Sequence, residues 1–152
     1  QINWTLGQTT FLVSIIVLFL WIPIKERPGV GTILNAILIA LAIDVMMPYL
    51  PNPDLYIFQI IQVLIGTLFV GIGSGLYLTA NLGPGPRDGW MTGIQKITNI
   101  PIAKVRASIE IIVLFLGYYL GGTLGIGTII FALLIGHIVA ISLQLTGRFG
   151  GN

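Results

Sequence analysis

The chain has 152 residues, of which 55% are hydrophobic and 8% are charged, whereas soluble domains carry about 25% charged residues, so the composition indicates a membrane protein. Its net charge of +2 comes from seven Lys and Arg against five Asp and Glu, without a basic cluster dense enough for a nucleic acid partner. The chain has no cysteine and a single histidine, which argues against a metal centre, a redox dithiol or another resident cofactor.

Five segments, taken in chain order, are long and apolar enough to be transmembrane helices, because a bilayer core about 30 Å thick needs roughly 20 mostly apolar helical residues. Turn-forming sequences follow the first four of them: KERPG, PNPD, GPGPRDG and GGTLG. The predicted fold class is therefore all-α, a polytopic membrane helix bundle that forms a single membrane domain over residues 1–152. The segments are Leu6–Ile24, Gly31–Leu50, Leu55–Leu82, Val105–Leu120 and Ile126–Leu145, and residues 147–152 follow as a tail.

The Lys and Arg residues predict the orientation of the chain in the bilayer. If each segment crosses once, all seven fall on one face, and the loops of the other face carry one charged residue, Asp54. Cytoplasmic loops collect Lys and Arg, so this face is predicted to be the cytoplasm, where the C-terminus also lies. The chain is thus predicted to be a multi-pass protein of the bacterial inner membrane. The seven residues are Lys25, Arg27, Arg87, Lys96, Lys104, Arg106 and Arg148.

The sequence repeats itself at an offset of 96 residues. IIVLFL occurs at Ile15–Leu20 and again at Ile111–Leu116, and 111 − 15 = 96. The same offset, without a gap, aligns GVGT at Gly29–Thr32 with GIGT at Gly125–Thr128. A shared G-x-G-T at equivalent helix starts indicates two copies of one structural unit.

Each copy is predicted to contain three helices. Residues 51–146 form the second copy, and residues 1–50 are the last two helices of the first copy, whose first helix would precede Gln1. Six helices are expected in full, and five are present. Because three is an odd number of crossings, the copies are predicted to be inverted relative to each other, as in many transporters whose sites lie where the halves meet.

Three stretches of the second copy resemble a known family: GLYLTANLGPGPRDGWMTGI, VRASIEIIVLFLGYYLGG and GIGTIIFALLIG. Together with PGVGTILNAILIALAIDV in the first copy, they are similar to the bacterial integral membrane proteins grouped as YczE-like and related to the YitT family. The resemblance spans essentially the whole chain and implies a six-helix layout, from which this chain departs by lacking the first helix. It also implies a membrane protein for which transport is suggested.

The GPGPRDG turn is the first candidate site. Gly83, Gly85 and Gly89 permit unusual backbone angles and expose N–H groups, which predicts a concavity suited to an anion. Arg87 and Asp88 then either bind or gate a solute, or neutralise each other and cap the next helix.

Four polar residues inside the predicted helices are further candidates. Arg106 and Glu110 are spaced i, i+4, so they share a helix face, and Glu110 in apolar sequence needs a partner, which is Arg106 or Arg87. Asp44 is either a functional intramembrane acid or an interfacial residue close to Pro48. His137 is either a packing residue or linked to proton movement.

Small-residue spacing predicts where helices approach each other closely. Gly71 and Gly75 form one G-x-x-x-G sequence, and Gly117 and Gly121 form another, which favours helix packing or a seam in a homo-oligomer or larger complex. The chain is predicted not to be an enzyme, since it has no P-loop or H-E-x-x-H sequence and Ser74 lacks the glycine pattern of intramembrane serine proteases.

Two functions follow from these patterns. The first hypothesis is a small-solute or ion transporter with its site between the copies. The second is an accessory or scaffold subunit that transports nothing and docks larger membrane partners through its glycines.

Overall fold

The computed structural model describes residues 4–24 and 27–149. All regular secondary structure in this part of the chain is helical. Short 3-10 turns at Ile22–Ile24 and Met47–Tyr49 extend the first two helices. The all-α class is therefore confirmed. The helices are α1 (Leu6–Phe19), α2 (Val30–Met46), α3 (Tyr56–Thr79), α4 (Pro86–Thr98), α5 (Ile102–Tyr119) and α6 (Ile126–Phe149).

Four helical segments among the described residues are long and apolar enough to cross a membrane, with mean hydropathies of 1.9 to 2.4. These four segments confirm the predicted polytopic membrane helix bundle. The segment around α5 differs because its 18 residues include Lys104, Arg106 and Glu110. The fifth crossing therefore stays a prediction. The four segments are Leu6–Ile24, Val30–Tyr49, Tyr56–Thr79 and Ile126–Gly147.

Helix α4 was not predicted, since residues 83–104 were interpreted as a loop. Its glycines and proline obscured it, although Pro86 at the helix start, Asp88 in the first turn and Lys96 in the last turn are all favourable there. Its 13 residues span only about 20 Å at 1.5 Å per residue, which is shorter than the bilayer core. This helix therefore connects two longer ones.

Three predicted boundaries differ from the observed ones by three residues or more. Helix α3 ends at Thr79 rather than Leu82, because Asn81 and Gly83 take left-handed φ angles of 56° and 106°. Helix α5 begins at Ile102, directly after Pro101, rather than at Val105. Helix α6 continues to Phe149, so the first residues of the predicted tail are helical, and residues 150–152 lie outside the described part. Lys25 also lies outside it, and the orientation in the membrane stays a prediction.

The chain divides into two compact units. Unit 1 contains Gln1–Pro51 and Ala80–Gly93, and unit 2 contains Asn52–Thr79 and Ile94–Asn152. One division falls between Pro51 and Asn52, close to the predicted boundary between the copies. The turn after α3 belongs to unit 1, where its carbonyls accept hydrogen bonds, while the division of the chain into two copies stays a prediction.

In unit 2, α6 packs along both α3 and α5. A Cβ added at Gly71 would overlap Ile138, and one added at Gly75 would overlap Ser142. The Ser142 hydroxyl donates to the Ile72 carbonyl at 3.2 Å, so the seam combines close approach with an interhelical hydrogen bond. Gly71 and Gly75 are therefore packing residues within one chain.

In unit 1, Asp44 of α2 caps the beginning of α1. Its carboxylate accepts hydrogen bonds from the Gly7 N–H at 2.8 Å and from the Thr5 hydroxyl at 2.7 Å. A negative charge is favourable there because the first N–H groups of a helix have no partner within it. The structure therefore gives Asp44 a structural role, and whether it is a functional intramembrane acid or an interfacial residue stays a prediction.

Replacing Asp44 with Ala is expected to lower the free energy of unfolding by about 2 kcal/mol, because it removes a charged acceptor of two hydrogen bonds. Asp44→Asn keeps an acceptor oxygen and should cost less. Thermal unfolding in detergent, with Asp54→Asn at an exposed position as the control, measures the difference. Equal unfolding temperatures for Asp44→Ala and the control would rule out this capping role.

The helix pairs α1–α2 and α5–α6 correspond at the offset found in the sequence. Their starts are separated by 102 − 6 = 96 and 126 − 30 = 96 residues. In the first pair, Gly7 lies against the Ala40 carbonyl. In the second pair, a Cβ added at Gly136 would lie 2.7 Å from the Ala103 carbonyl, and these two positions are equivalent to Ala40 and Gly7. The inverted relation of the copies stays a prediction.

Candidate functional site

The turn at residues 82–86 is bound to unit 1 through its carbonyl groups. The carbonyls of residues 82, 84 and 86 each accept one hydrogen bond from a residue between positions 21 and 32. The donors are a backbone N–H, a hydroxyl and an indole N–H. The predicted concavity of N–H groups for an anion thus stays a prediction, because the bonds seen are made by oxygens. They are Gly31 N to Leu82 O at 2.9 Å, Thr32 Oγ1 to Pro84 O at 2.7 Å and Trp21 Nε1 to Pro86 O at 2.9 Å.

The three glycines of the GPGPRDG sequence that were predicted to shape the backbone have different structural roles. Gly83 has a φ of +106°, which favours glycine over any residue with a side chain. The Gly85 carbonyl accepts the hydrogen bond of the Gly89 N–H at 2.8 Å and so begins α4. Gly89 lies against the Trp21 indole, and a Cβ there would overlap the ring. The buried Trp21 thus explains a glycine that the sequence pattern attributed to backbone flexibility.

Arg87 and Asp88 follow this turn in the first turn of α4. Asp88 is buried and Arg87 is exposed. A carboxylate in the first turn complements the helix dipole, which agrees with the capping interpretation of the sequence. That Arg87 and Asp88 bind or gate a solute stays a prediction.

Arg106 and Glu110 form the predicted i, i+4 pair on α5. Nε of Arg106 lies 3.1 Å from Oε1 of Glu110, and both side chains are only 4% exposed. The contact is an ion pair rather than an aligned hydrogen bond. The sequence offered Arg106 and Arg87 as partners of Glu110, and the structure shows the contact with Arg106, while a contact with Arg87 stays a prediction.

This ion pair lies beside the middle of a candidate membrane span. A Cβ added at Gly136 would be 3.3 Å from the Cβ of Arg106. Gly136 is 136 − 126 = 10 residues from one end of the span Ile126–Gly147 and 147 − 136 = 11 from the other. Two charges are therefore buried next to the centre of an apolar helix.

A groove of about 450 Å³ opens in unit 2 next to this contact. It lies where the start of α5 meets α6, and two glutamines place amide groups among its apolar lining. The groove was not predictable from the sequence, because only the packing of α5 on α6 creates it. The lining residues are Gln95, Pro101, Ile102, Ala103, Ala140, Leu143 and Gln144.

The remaining candidates are distributed over both units. Asp44 belongs to unit 1 and caps α1. His137 belongs to unit 2, is exposed on α6, and its Nδ1 lies 3.2 Å from the Leu133 carbonyl of the same helix. Gly117 and Gly121 are exposed, and a Cβ added at either would meet no atom within 4 Å. No group of three metal-ligating side chains occurs in the described ranges.

Comparisons with known proteins agree with this architecture. The chain is 44% identical over 148 residues to an uncharacterized protein of Haemophilus influenzae, covering 97% of this chain and 68% of that protein. It is 36% identical over 140 residues to the uncharacterized membrane protein YczE of Bacillus subtilis, covering 91% of this chain and 65% of YczE. No solved structure is significantly similar.

The chain therefore spans about two thirds of the length of both relatives. A family described as being of unknown function, DUF6198, matches residues 1–144. The predicted YczE-like resemblance is confirmed by the similarity to YczE itself. Four apolar spans and this relationship make it a multi-pass membrane protein, and the chain belongs to the DUF6198 family.

Proposed function

We propose that this protein transports a small solute or ion across the bacterial inner membrane, with its C-terminus in the cytoplasm and no enzymatic activity. The observation that carries the proposal is the buried ion pair of Arg106 and Glu110. Charged side chains within a membrane are costly, and they are kept mainly along solute and ion pathways. The sequence repeat supports the proposal, because inverted repeats are frequent in transporters.

The groove in unit 2 favours a solute that carries a carboxylate. In unit 1 the Asp44 carboxylate binds the Gly7 N–H. At the offset of 96, Ala103 is equivalent to Gly7 and Ala140 is equivalent to Asp44, and both alanines line the groove. No side chain caps the start of α5 at Pro101. A solute carboxylate would thus bind α5 as Asp44 binds α1.

Transport is tested with the full-length protein in liposomes and a panel of labelled small carboxylates, inorganic anions and cations. Ala140→Asp places a tethered carboxylate in the groove, where its effective concentration is about millimolar, so flux should fall about tenfold or more. Ala140→Asn is the matched control of the same size without the charge. Both variants must unfold at the temperature of the parent protein or above it, which shows that the groove and not the fold has changed.

Absence of flux for the whole panel, with a correctly folded protein, would contradict transport. The alternative function is a scaffold subunit, which is favoured by the open surface at Gly117 and Gly121. Stoichiometric foreign membrane subunits that co-purify with the wild type, and are lost in Gly117→Leu, would establish that alternative. A homo-oligomer that transports would refute it.

A further inference from the structure

Helices α2 and α6 begin with the same G-x-G-T sequence and the same first backbone hydrogen bond. The Thr32 N–H donates to the Gly29 carbonyl at 3.1 Å, and the Thr128 N–H donates to the Gly125 carbonyl at 3.1 Å. Their surroundings differ. Thr32 is completely buried, whereas Gly125 and Thr128 are exposed.

In unit 1 the turn at residues 82–84 explains why these residue types begin α2. The Leu82 carbonyl lies against Gly31, where an added Cβ would come within 3.0 Å of the Leu82 Cβ. The Pro84 carbonyl accepts the Thr32 hydroxyl at 2.7 Å. A larger residue at position 31 or an apolar one at position 32 would disrupt this fit.

At the start of α6, the described neighbours explain the glycine at position 127 but not the residue types at positions 125 and 128. A Cβ added at Gly127 would meet Val63 of α3 at 2.9 Å, so α3 requires the glycine there. A Cβ added at Gly125 would meet only the Thr128 hydroxyl, at 3.8 Å. Residues 4–24 and 27–149 therefore contain no neighbour that calls for Gly125 or for a hydroxyl at position 128.

We infer that a turn from outside residues 1–152 of the same polypeptide covers Gly125 and Thr128 in the full-length protein, as residues 82–84 cover the start of α2. The repeat places the equivalent turn by counting, since 82 − 96 = −14 and 84 − 96 = −12. Both relatives extend well beyond the part that matches this chain. The turn would offer one carbonyl to the Gly127 N–H and one to the Thr128 hydroxyl, as Leu82 and Pro84 do in unit 1.

The inference is tested in the full-length protein by placing a photoreactive benzoylphenylalanine at position 128 and identifying the cross-linked peptide by mass spectrometry. The expected product joins α6 to a peptide that precedes Gln1. The same amino acid at position 82 is the control, because its side chain lies against Gly31 and should capture the start of α2. Mixing isotopically labelled and unlabelled protein distinguishes a cross-link within one chain from one between two copies.

A stability measurement provides a second test. Thr128→Val in the full-length protein removes the hydroxyl, so its effect on the unfolding midpoint should exceed that of Thr123→Val, an exposed position in the preceding loop. Capture of a second copy, of lipid or of a foreign protein at position 128 would overturn the inference. So would the absence of any product at position 128 when the control at position 82 is captured.

Discussion

Replacing Glu110 with Gln is expected to lower the free energy of unfolding by about 3 kcal/mol, because it removes one charge of a buried ion pair and leaves the Arg106 guanidinium buried without that carboxylate. Arg106→Gln should cost a similar amount for the converse reason. Lys104→Gln removes a charge from an exposed position on the same helix and should change stability by less than about 0.5 kcal/mol. Unfolding in mixed detergent micelles, followed by circular dichroism, measures all three.

The double variant Arg106→Met/Glu110→Met distinguishes a role of the ion pair in stabilising the fold from a role in transport. A buried pair replaced by apolar residues of similar volume is often no less stable than the pair, so most of the lost stability should return. Flux should not return if the pair belongs to the transport pathway. A stable double variant with full flux would show that the pair only supports the fold. Single variants as stable as Lys104→Gln would show that the pair does not stabilise the fold.

Gly75→Val is expected to destabilise unit 2 by about 3 kcal/mol, because its side chain would overlap Ser142 and force α3 away from α6. The nearby Gly73 is a matched control on the same helix, since a Cβ there would meet nothing within 4 Å. Gly73→Val introduces the same side chain and the same change in helix propensity. The difference between the two variants therefore measures the helix contact alone.

Cysteine pairs give an independent measurement of this seam, since the chain has no native cysteine. In the Gly75→Val protein, oxidation of a pair placed across α3 and α6 should slow relative to the same pair in the Gly73→Val protein. Equal unfolding midpoints and equal oxidation rates for the two valine variants would show that α3 does not pack on α6 through Gly75.

The local features of the fold could be predicted from the sequence. The helix starts at Leu6 and Ile126 were predicted, and that at Val30 was predicted within one residue, because caps and breakers are encoded by adjacent residues. Helix α5 begins three residues before its predicted start, since 105 − 102 = 3. The pairing of Arg106 with Glu110 was also predictable, since residues four apart lie on one face of any helix. Helix α4 escaped prediction because two glycines and a proline within 13 residues lower the helix propensity that the pattern relies on.

The candidate site could be predicted only in part. Asp44 was singled out from the sequence as a polar residue in an apolar segment, but its partners Gly7 and Thr5 precede it by 37 and 39 residues. The glycines of the turn at residues 82–86 indicated an unusual backbone, and Gly83 has one. That the turn binds through its carbonyls, and that Gly89 makes room for Trp21, depends on residues that precede them by 51 to 68 positions, since 82 − 31 = 51 and 89 − 21 = 68.

The sequence by itself determined that this is a helical membrane protein with a repeated pair of apolar segments, in which Arg106 and Glu110 lie on one helix face. Composition, the offset of 96 and the i, i+4 spacing are properties of the chain that hold in any folded arrangement. Only the tertiary structure decided which glycines face another helix, which groups cap α1 and where the groove opens. Apolar and small residues make up most of the four candidate spans, so their pattern does not indicate which face meets a neighbour, and the close packing of side chains makes that choice.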